Sequence, residues 1–322
     1  MRVSVLGAGA FGTALAVVLA GAGREVTLWT RDAAQCRAMR AAGRNDRYLP
    51  DVPFPPGLSA SDALDEAAAA PILLLAVPMQ SLGALLGSLP ETAGKDLVSC
   101  AKGIDLATGL GSTGLIAAHA PGATAAVLSG PGFAADIARG LPTALTLGCR
   151  DEGRALALQE ALSAPALRLY RTDDTWGVEL GGALKNVVAI GAGVVAGAGL
   201  GESARAALVT RGFAEMARLA RAAGARAETL AGLSGLGDLI LTSTSHQSRN
   251  FRFGLALGAG ETPVANVTVE GRATARAALA LAARLGIDLP VTATVAALID
   301  RRLTLGEAVA ALLSRPLTRE WT

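Results

Sequence analysis

At 322 residues, with 51% hydrophobic and 17% charged residues, the chain is long enough for two domains with large buried faces. Its net charge of +2, from 29 basic and 27 acidic residues, excludes a general pull toward nucleic acid or a membrane surface. The cysteines Cys36, Cys100 and Cys149 are far apart with no CxxC, and His119 and His246 are the only histidines, which argues against a disulfide framework and a metal site and leads us to expect reduced, buried thiols in a cytoplasmic protein.

The chain opens VSVL, a β-branched apolar run that suits a buried parallel strand. GAGAFG follows, a G-x-G-x-x-G at Gly7, Gly9 and Gly12, and then TALAVVLAGAG, a helix that stops at Gly21 and Gly23. REVTLW reads as a second strand. Strand, glycine turn, helix and strand in this order form the context that makes the motif a dinucleotide site. Gly7 permits the tight turn, Gly9 lets a pyrophosphate approach the backbone, and Gly12 lets the helix pack on the strand. The helix N-terminus then offers free N–H groups to the phosphates. A signal peptide or a membrane span has no reason to place three glycines in this register and run on into another strand. At the strand end Arg31 and Asp32 stand side by side. An acid there binds the ribose 2′-hydroxyl of NAD and an arginine the 2′-phosphate of NADP; Arg31 is nearer the strand, so the reading leans to NADPH with NADH tolerated. A plain helix-start role for both residues stays open.

Next come a helix over AAQCRAMRAAG, a Pro-rich connection NDRYLPDVPFPPGLSAS too broken for regular structure, and a short helix DALDEAAAA. PILLLAVP is a buried strand, MQSLGALLGSL a helix, and KDLVSCAKGI a strand entering a loop. TGLGSTGLIAAHA is a turn and helix with His119 near its end, and ATAAVLSGPGFAADIARG is strand, glycine turn and helix. PTALTLGC, EGRALALQEALSA and LRLYRT continue as strand, helix, strand. The alternation predicts an α/β domain over residues 1–176 with a doubly wound, Rossmann-type, mostly parallel sheet. Residues 177–322 carry almost no strand signal and read as an all-α domain, with Ala-rich helices broken at GLG, GLSGLGD, GAGE and LP. VVAIGAGVVAGAGL looks membrane-like, but it is short and follows Lys185 and Asn186, so a buried core helix is the better reading.

Several polar residues stand in apolar or glycine-rich surroundings. Lys102 follows a strand, at the end where open α/β sheets bind ligands. Lys185 and Asn186 interrupt an apolar helix, where a lysine is costly unless paired or facing a site. Asp238 sits in GLSGLGDLILT, and Arg249 and Asn250 follow Ser248, which is placed to cap a helix. Each has a bland alternative: a loop charge for Lys102, snorkelling for Lys185, a cap for Asp238, an ion pair for Arg249. Together they suit carbonyl reduction in an anionic substrate, with a lysine as proton donor and the arginine on a phosphate or carboxylate. His246 is expected in a loop, without a catalytic role.

At these residues the chain closely resembles the bacterial NAD(P)-dependent glycerol-3-phosphate dehydrogenases. GAGAFGTALA, LWTR, NDRYLP, LLLAVP, AKGID, LSGPGFA, GVELGGALKNVVAIGAG, ARAALVTRGFAEM, LSGLGDLILT, QSRN and VEGRAT occur in the family's order. The resemblance implies interconversion of dihydroxyacetone phosphate and sn-glycerol 3-phosphate, normally as reduction, for phospholipid synthesis. It implies Lys185 as proton donor and acceptor, with Lys102 and Asp238 beside it in catalysis. It places Lys102, Gly130, Gly132, Lys185, Asn186, Asp238, Thr242, Ser248, Arg249 and Asn250 at the substrate. It places Gly7, Gly9, Ala10, Phe11, Gly12, Trp29, Arg31, Tyr48, Lys102, Ala134, Arg249, Thr268 and Glu270 at NADPH or NADH. The partner implied is a small phosphorylated substrate, with no membrane span, and apolar helix faces leave room for a homodimer. Gly132 and Ala10 depart from the family, which often has a hydroxyl residue at each position. Two other readings remain: a two-domain dehydrogenase acting on another small anionic hydroxy acid, and a non-catalytic NADPH sensor.

Overall fold

In the computed structural model, which describes residues 1–262 and 269–314, the N-terminal strands bury both faces. Over Ile72–Leu75, Ile72 and Leu74 join one apolar cluster while Leu73 and Leu75 join another, as the two-residue strand period requires. Each such side chain contributes about 1.5–3 kcal/mol by leaving water.

The chain runs β1 (Arg2–Leu6), α1 (Ala10–Gly21), β2 (Glu25–Trp29), α2 (Ala33–Ala42), β3 (Arg44–Asn45), β4 (Leu49–Pro53), β5 (Leu58–Ser61), α3 (Leu64–Ala68) and β6 (Ile72–Leu75). It continues through α4 (Met79–Ser88), β7 (Asp96–Ser99), α5 (Ser112–His119), β8 (Thr124–Ser129), α6 (Ala134–Ala138), β9 (Thr143–Cys149), α7 (Glu152–Leu162) and β10 (Leu167–Thr172). Eight strands form one sheet in the order β10-β9-β8-β7-β6-β1-β2-β5. Every pair is parallel except β8 with β9. The strand order reverses at β1, whose neighbours are β2 and β6, and this opens a crevice at their C-terminal ends.

The Pro-rich connection is a correction to the sequence reading. It holds β4, which pairs with β3 in a two-stranded ribbon, and β5, which extends the main sheet beside β2. Pro50 and Pro53 are tolerated because a strand with one partner leaves one row of N–H groups unused.

The helical part begins with α8 (Thr175–Gly197), followed by α9 (Glu202–Ala222), α10 (Ala227–Ala231), a single π-helical turn (Leu233–Gly237), α11 (Asp238–Ser243), α12 (Arg249–Gly258), α13 (Glu270–Leu285), α14 (Pro290–Ile299) and α15 (Leu305–Leu313). The π turn is the second departure: GLSGLGD reads as a break, yet its backbone winds continuously into α11. α8 is mostly apolar and 89% of its most apolar window is buried, so the one helix among the described residues that is long and apolar enough to cross a membrane is a core helix.

Backbone contact explains the glycines of that helix. A Cβ on Gly193 or Gly197 would overlap the carbonyl oxygen of Phe251 or Leu255 on α12. A Cβ on Gly254 or Gly258 would overlap that of Ile190 or Val194 on α8. The two four-residue glycine spacings interlock, and α8 and α12 meet through Cα–H and carbonyl groups. Two buried carboxylates fasten further helix ends. Glu179 of α8 accepts from Ser112 Oγ at 2.8 Å and Thr113 N at 2.6 Å at the start of α5. Glu215 of α9 accepts from Val291 N at 2.6 Å and Thr292 N at 3.0 Å at the start of α14. Burial pushes both carboxyls up, against the donors that cap them.

Candidate active site

The cofactor end is built from the turn after β1. Gly7 adopts φ +123°, and a Cβ there would overlap the Ala76 carbonyl oxygen beyond β6. A Cβ on Gly12 would overlap the Gly7 carbonyl oxygen, so the helix sits directly on the turn. Gly9 differs: a Cβ there would meet nothing within 4 Å. It faces the open crevice, and as N-cap of α1 it brings no side chain to the free N–H groups of Ala10, Phe11 and Gly12. Two tight glycines inside and one open glycine outside fit a pyrophosphate laid on a helix N-terminus.

At the end of β2, Arg31 is exposed. Asp32 caps α2, accepting from Ala34 N at 3.0 Å and Gln35 N at 3.1 Å, and its other oxygen lies 3.7 Å from Arg47. Trp29 is buried, and its indole N–H donates to the Asp62 carbonyl oxygen at 3.3 Å. Its own carbonyl accepts from Gly7 N at 3.0 Å, so Trp29 reaches the crevice through backbone. Tyr48 is exposed, with the Arg47 guanidinium 5.4 Å from its ring centre. Thr268 lies outside the described residues.

The chemistry concentrates where the sheet meets α8 and α11. Asp238, the first residue of α11, is buried and accepts from two lysines. Lys185 Nζ donates to Oδ1 at 3.0 Å, and Lys102 Nζ donates to Oδ2 at 2.5 Å. Lys185 also donates to Thr242 Oγ1 at 2.8 Å, one turn along α11. Lys102 also donates to the Gly130 carbonyl oxygen at 3.2 Å and lies 6.0 Å from the Phe11 ring centre. One ammonium therefore joins the nucleotide turn, the loop after β8 and the helical part. Burial pulls the Lys185 ammonium down to about 8, with Lys102 and Arg249 acting in the same sense and Asp238 opposing. Burial also pushes the Asp238 carboxyl up, but Lys102 and Lys185 together outweigh it and hold it below the ordinary aspartate value.

Close packing sets this geometry. A Cβ on Gly181 would lie 3.0 Å from backbone atoms of Gly235 and Ser234 in the π turn, and one on Gly182 would overlap Ser129 Oγ. Helical spacing puts Lys185 on the same side of α8 as these glycines, four and three residues on. It therefore projects where α8 touches both the π turn and the end of β8.

Beside the lysines, Asn250 Nδ2 donates to Asn186 Oδ1 at 2.8 Å, and Asn250 Oδ1 accepts from Gly271 N at 3.1 Å. This pair ties α8, α12 and α13 together. Ser248 caps α12 as expected, accepting from Phe251 N at 3.2 Å. Arg249 follows it, exposed at the helix start. Glu270, the first residue of α13, is pushed up to about 7 by burial, opposed by Arg249, a Met79 N–H and the two lysines. Gly130, Gly132 and Ala134 line the loop from β8 into α6. Gly132 is crowded: a Cβ there would lie 2.9 Å from Ile137 Cδ1 and 3.3 Å from Thr143 Cγ2, so a larger residue would displace Ile137. Sequence reasoning missed Gln35 and Asn45, whose side chains both donate to the Ala8 carbonyl oxygen in the glycine turn. Asn45 falls in NDRYLP, but nothing in its spacing distinguishes it.

Two family models, the NAD-dependent glycerol-3-phosphate dehydrogenase N-terminus and C-terminus, match residues 2–155 and 174–310. The chain belongs to the NAD-dependent glycerol-3-phosphate dehydrogenase family. It is 61% identical over 319 residues to glycerol-3-phosphate dehydrogenase [NAD(P)+] of Cereibacter sphaeroides, covering 99% of this chain and 100% of that one. Identity to the enzyme of that name from Paracoccus denitrificans is 59% over 321 residues, with 99% and 100% covered. The crystal structure of glycerol-3-phosphate dehydrogenase from Coxiella burnetii superposes with a TM-score of 0.93 at 38% identity, covering 98% of this chain and 99% of that one. The family's N-terminal model takes in the glycine turn and the strands β1 through β9, and its C-terminal model takes in α8 through α14. Lys102 and Lys185, which meet at Asp238, thus come one from each.

Proposed function

We propose that the protein interconverts dihydroxyacetone phosphate and sn-glycerol 3-phosphate, working mainly as an NADPH-dependent reductase that accepts NADH and supplies glycerol 3-phosphate for phospholipid synthesis. Residues 1–176 form the dinucleotide domain and residues 177–322 the substrate domain in this reading. The observation that carries it is the buried carboxylate of Asp238 held between the ammonium groups of Lys185 and Lys102.

The reduced nicotinamide supplies a hydride when bound. The Lys185 ammonium would give its proton to the substrate's carbonyl oxygen as negative charge develops there. A lysine titrating at about 8 is mostly protonated at pH 7, and its lowered pKa eases proton release. Asp238 limits the fall and orients both lysines. Lys102 places a second positive charge where the alkoxide develops. Arg249 with the start of α12 holds the phosphate, and the Asn250–Asn186 pair fixes α12 against the helix that carries Lys185.

The preference for NADPH is supported by the end of β2. Asp32 has one oxygen engaged by two backbone N–H groups and the other near Arg47, while Arg31 stands exposed beside it. A cytoplasmic location is supported by three buried free thiols. A homodimer through the helical part belongs to the same proposal, supported by exposed Leu200, Leu285 and Leu313 there; sedimentation reads it.

The test is NADPH consumption by the purified protein with dihydroxyacetone phosphate and, in parallel, with unphosphorylated dihydroxyacetone. Turnover with the phosphate ester alone is expected. Equal turnover with both refutes the anion clamp, and no turnover with either refutes the reaction.

A further inference from the structure

The peptide between Ala8 and Gly9 is held from behind by two amide side chains. Gln35 Nε2, from the first turn of α2, donates to the Ala8 carbonyl oxygen at 2.9 Å. Asn45 Nδ2, from β3, donates to the same oxygen at 3.0 Å and to Thr13 Oγ1 in α1 at 2.8 Å. Both lone pairs of that carbonyl are thereby used. Because a carbonyl only accepts, the amide nitrogen of each side chain must face it. The Gln35 amide is fixed at its other end by the Thr30 hydroxyl, which donates to Oε1 at 3.0 Å. Asn45 is buried, 1% exposed.

A trans peptide points its C=O and its N–H in opposite directions, and none of the described peptide bonds is cis. With the Ala8 carbonyl drawn inward, the Gly9 N–H is aimed outward, to the side where a Gly9 Cβ would meet nothing within 4 Å. The turn does not lock this orientation by itself. Flipping the peptide needs new values only of ψ at Ala8 and φ at Gly9, and glycine accepts positive φ readily.

We propose that Gln35 and Asn45 are positioning residues for the cofactor pyrophosphate: together they hold the Ala8 carbonyl inward and so present the Gly9 N–H to the phosphates. This rests on the reading that the glycine turn binds the pyrophosphate. Both residues lie downstream of β2, so the segment beside the adenosine end also sets the donor at the pyrophosphate end.

The test compares dissociation constants of the full chain for three probes: NADPH; ADP-ribose, which has the pyrophosphate but no 2′-phosphate; and adenosine 2′-monophosphate, which has the reverse. Gln35→Met keeps length and helix preference but removes the donor, and Asn45→Ala removes the second. Each is expected to weaken NADPH and ADP-ribose at least tenfold and to leave adenosine 2′-monophosphate within twofold. Equal weakening of all three probes, or of none, overturns the proposal. If Asn45→Ala does not fold, Gln35→Met decides alone. Gly9→Ala separates this from failure of the underlying reading, because its methyl would enter the open crevice at an ordinary φ of −77°. If Gly9→Ala weakens ADP-ribose and Gln35→Met does not, the positioning role is wrong and the pyrophosphate reading stands. If Gly9→Ala leaves ADP-ribose unchanged, the pyrophosphate reading is wrong and the proposal falls with it.

Discussion

The Lys185 ammonium donates to the Oδ1 oxygen of Asp238 at 3.0 Å, and both side chains are buried. Neither residue would suit this place without the other. An unpaired lysine among apolar helices loses its proton, and an unpaired carboxylate gains one. Side by side they keep an ammonium whose proton is available near neutral pH.

The pH dependence follows from that pairing. Reduction needs Lys185 protonated, so its rate at saturating substrate should fall as pH rises through about 8. Oxidation of glycerol 3-phosphate needs the neutral amine and should rise through the same range. Asp238→Asn removes the main group that holds the value up while burial, Lys102 and Arg249 still lower it. The limb should then move to lower pH in initial-rate profiles. The same substitution leaves the buried Lys185 and the half-buried Lys102 without their anion and should cost about 3 kcal/mol of stability in urea unfolding, the lower end for breaking a buried pair.

Arg249→Ala should raise KM for dihydroxyacetone phosphate about 10- to 100-fold, the loss of hydrogen bonds to a charged group worth about 1.5–3 kcal/mol. NADPH affinity should change much less. Isothermal titration with each ligand separates the two effects.

Arg31→Ala should lower the preference for NADPH over NADH about tenfold or more, through loss of a charge-assisted bond to the 2′-phosphate. The kcat/KM for NADH should barely move. Parallel kinetics with both cofactors give the ratio.

Gly254→Ala places a methyl on the Ile190 carbonyl oxygen, which belongs to a helix backbone and cannot swing aside. The expected cost is about 3 kcal/mol, the upper end for overpacking. Because the same contact holds Asn250 to Asn186, dihydroxyacetone phosphate binding should weaken as well. Unfolding midpoints and substrate titration read the two consequences.

What the sequence revealed was largely what depends on neighbours along the chain. The glycine turn was legible because Gly7, Gly9 and Gly12 act within one strand–turn–helix unit. Lys102, Lys185 and Asp238 stood out as charges in apolar settings, and burial needs a reason for each. The strand Leu58–Ser61 was hidden because two prolines precede it and its stability comes from β2, across the sheet. The π turn was hidden because its packing partner is far away in sequence: a Cβ on Gly181 of α8 would lie 3.0 Å from the Gly235 backbone. Gln35 looked like any helix residue, since its function rests on reaching a carbonyl outside its own helix. The glycines of α8 gave a membrane-like pattern whose meaning, close approach of Gly193 and Gly197 to the Phe251 and Leu255 carbonyls of α12, required both helices at once.

The central claim is that Lys185 delivers the proton. Its most direct test is single-turnover NADPH oxidation by Lys185→Ala with saturating dihydroxyacetone phosphate, beside the variant's NADPH dissociation constant. The expected result is an unchanged cofactor affinity and a rate reduced about 10²- to 10⁴-fold, the range for losing a general acid. A rate close to that of the unaltered protein would contradict the assignment.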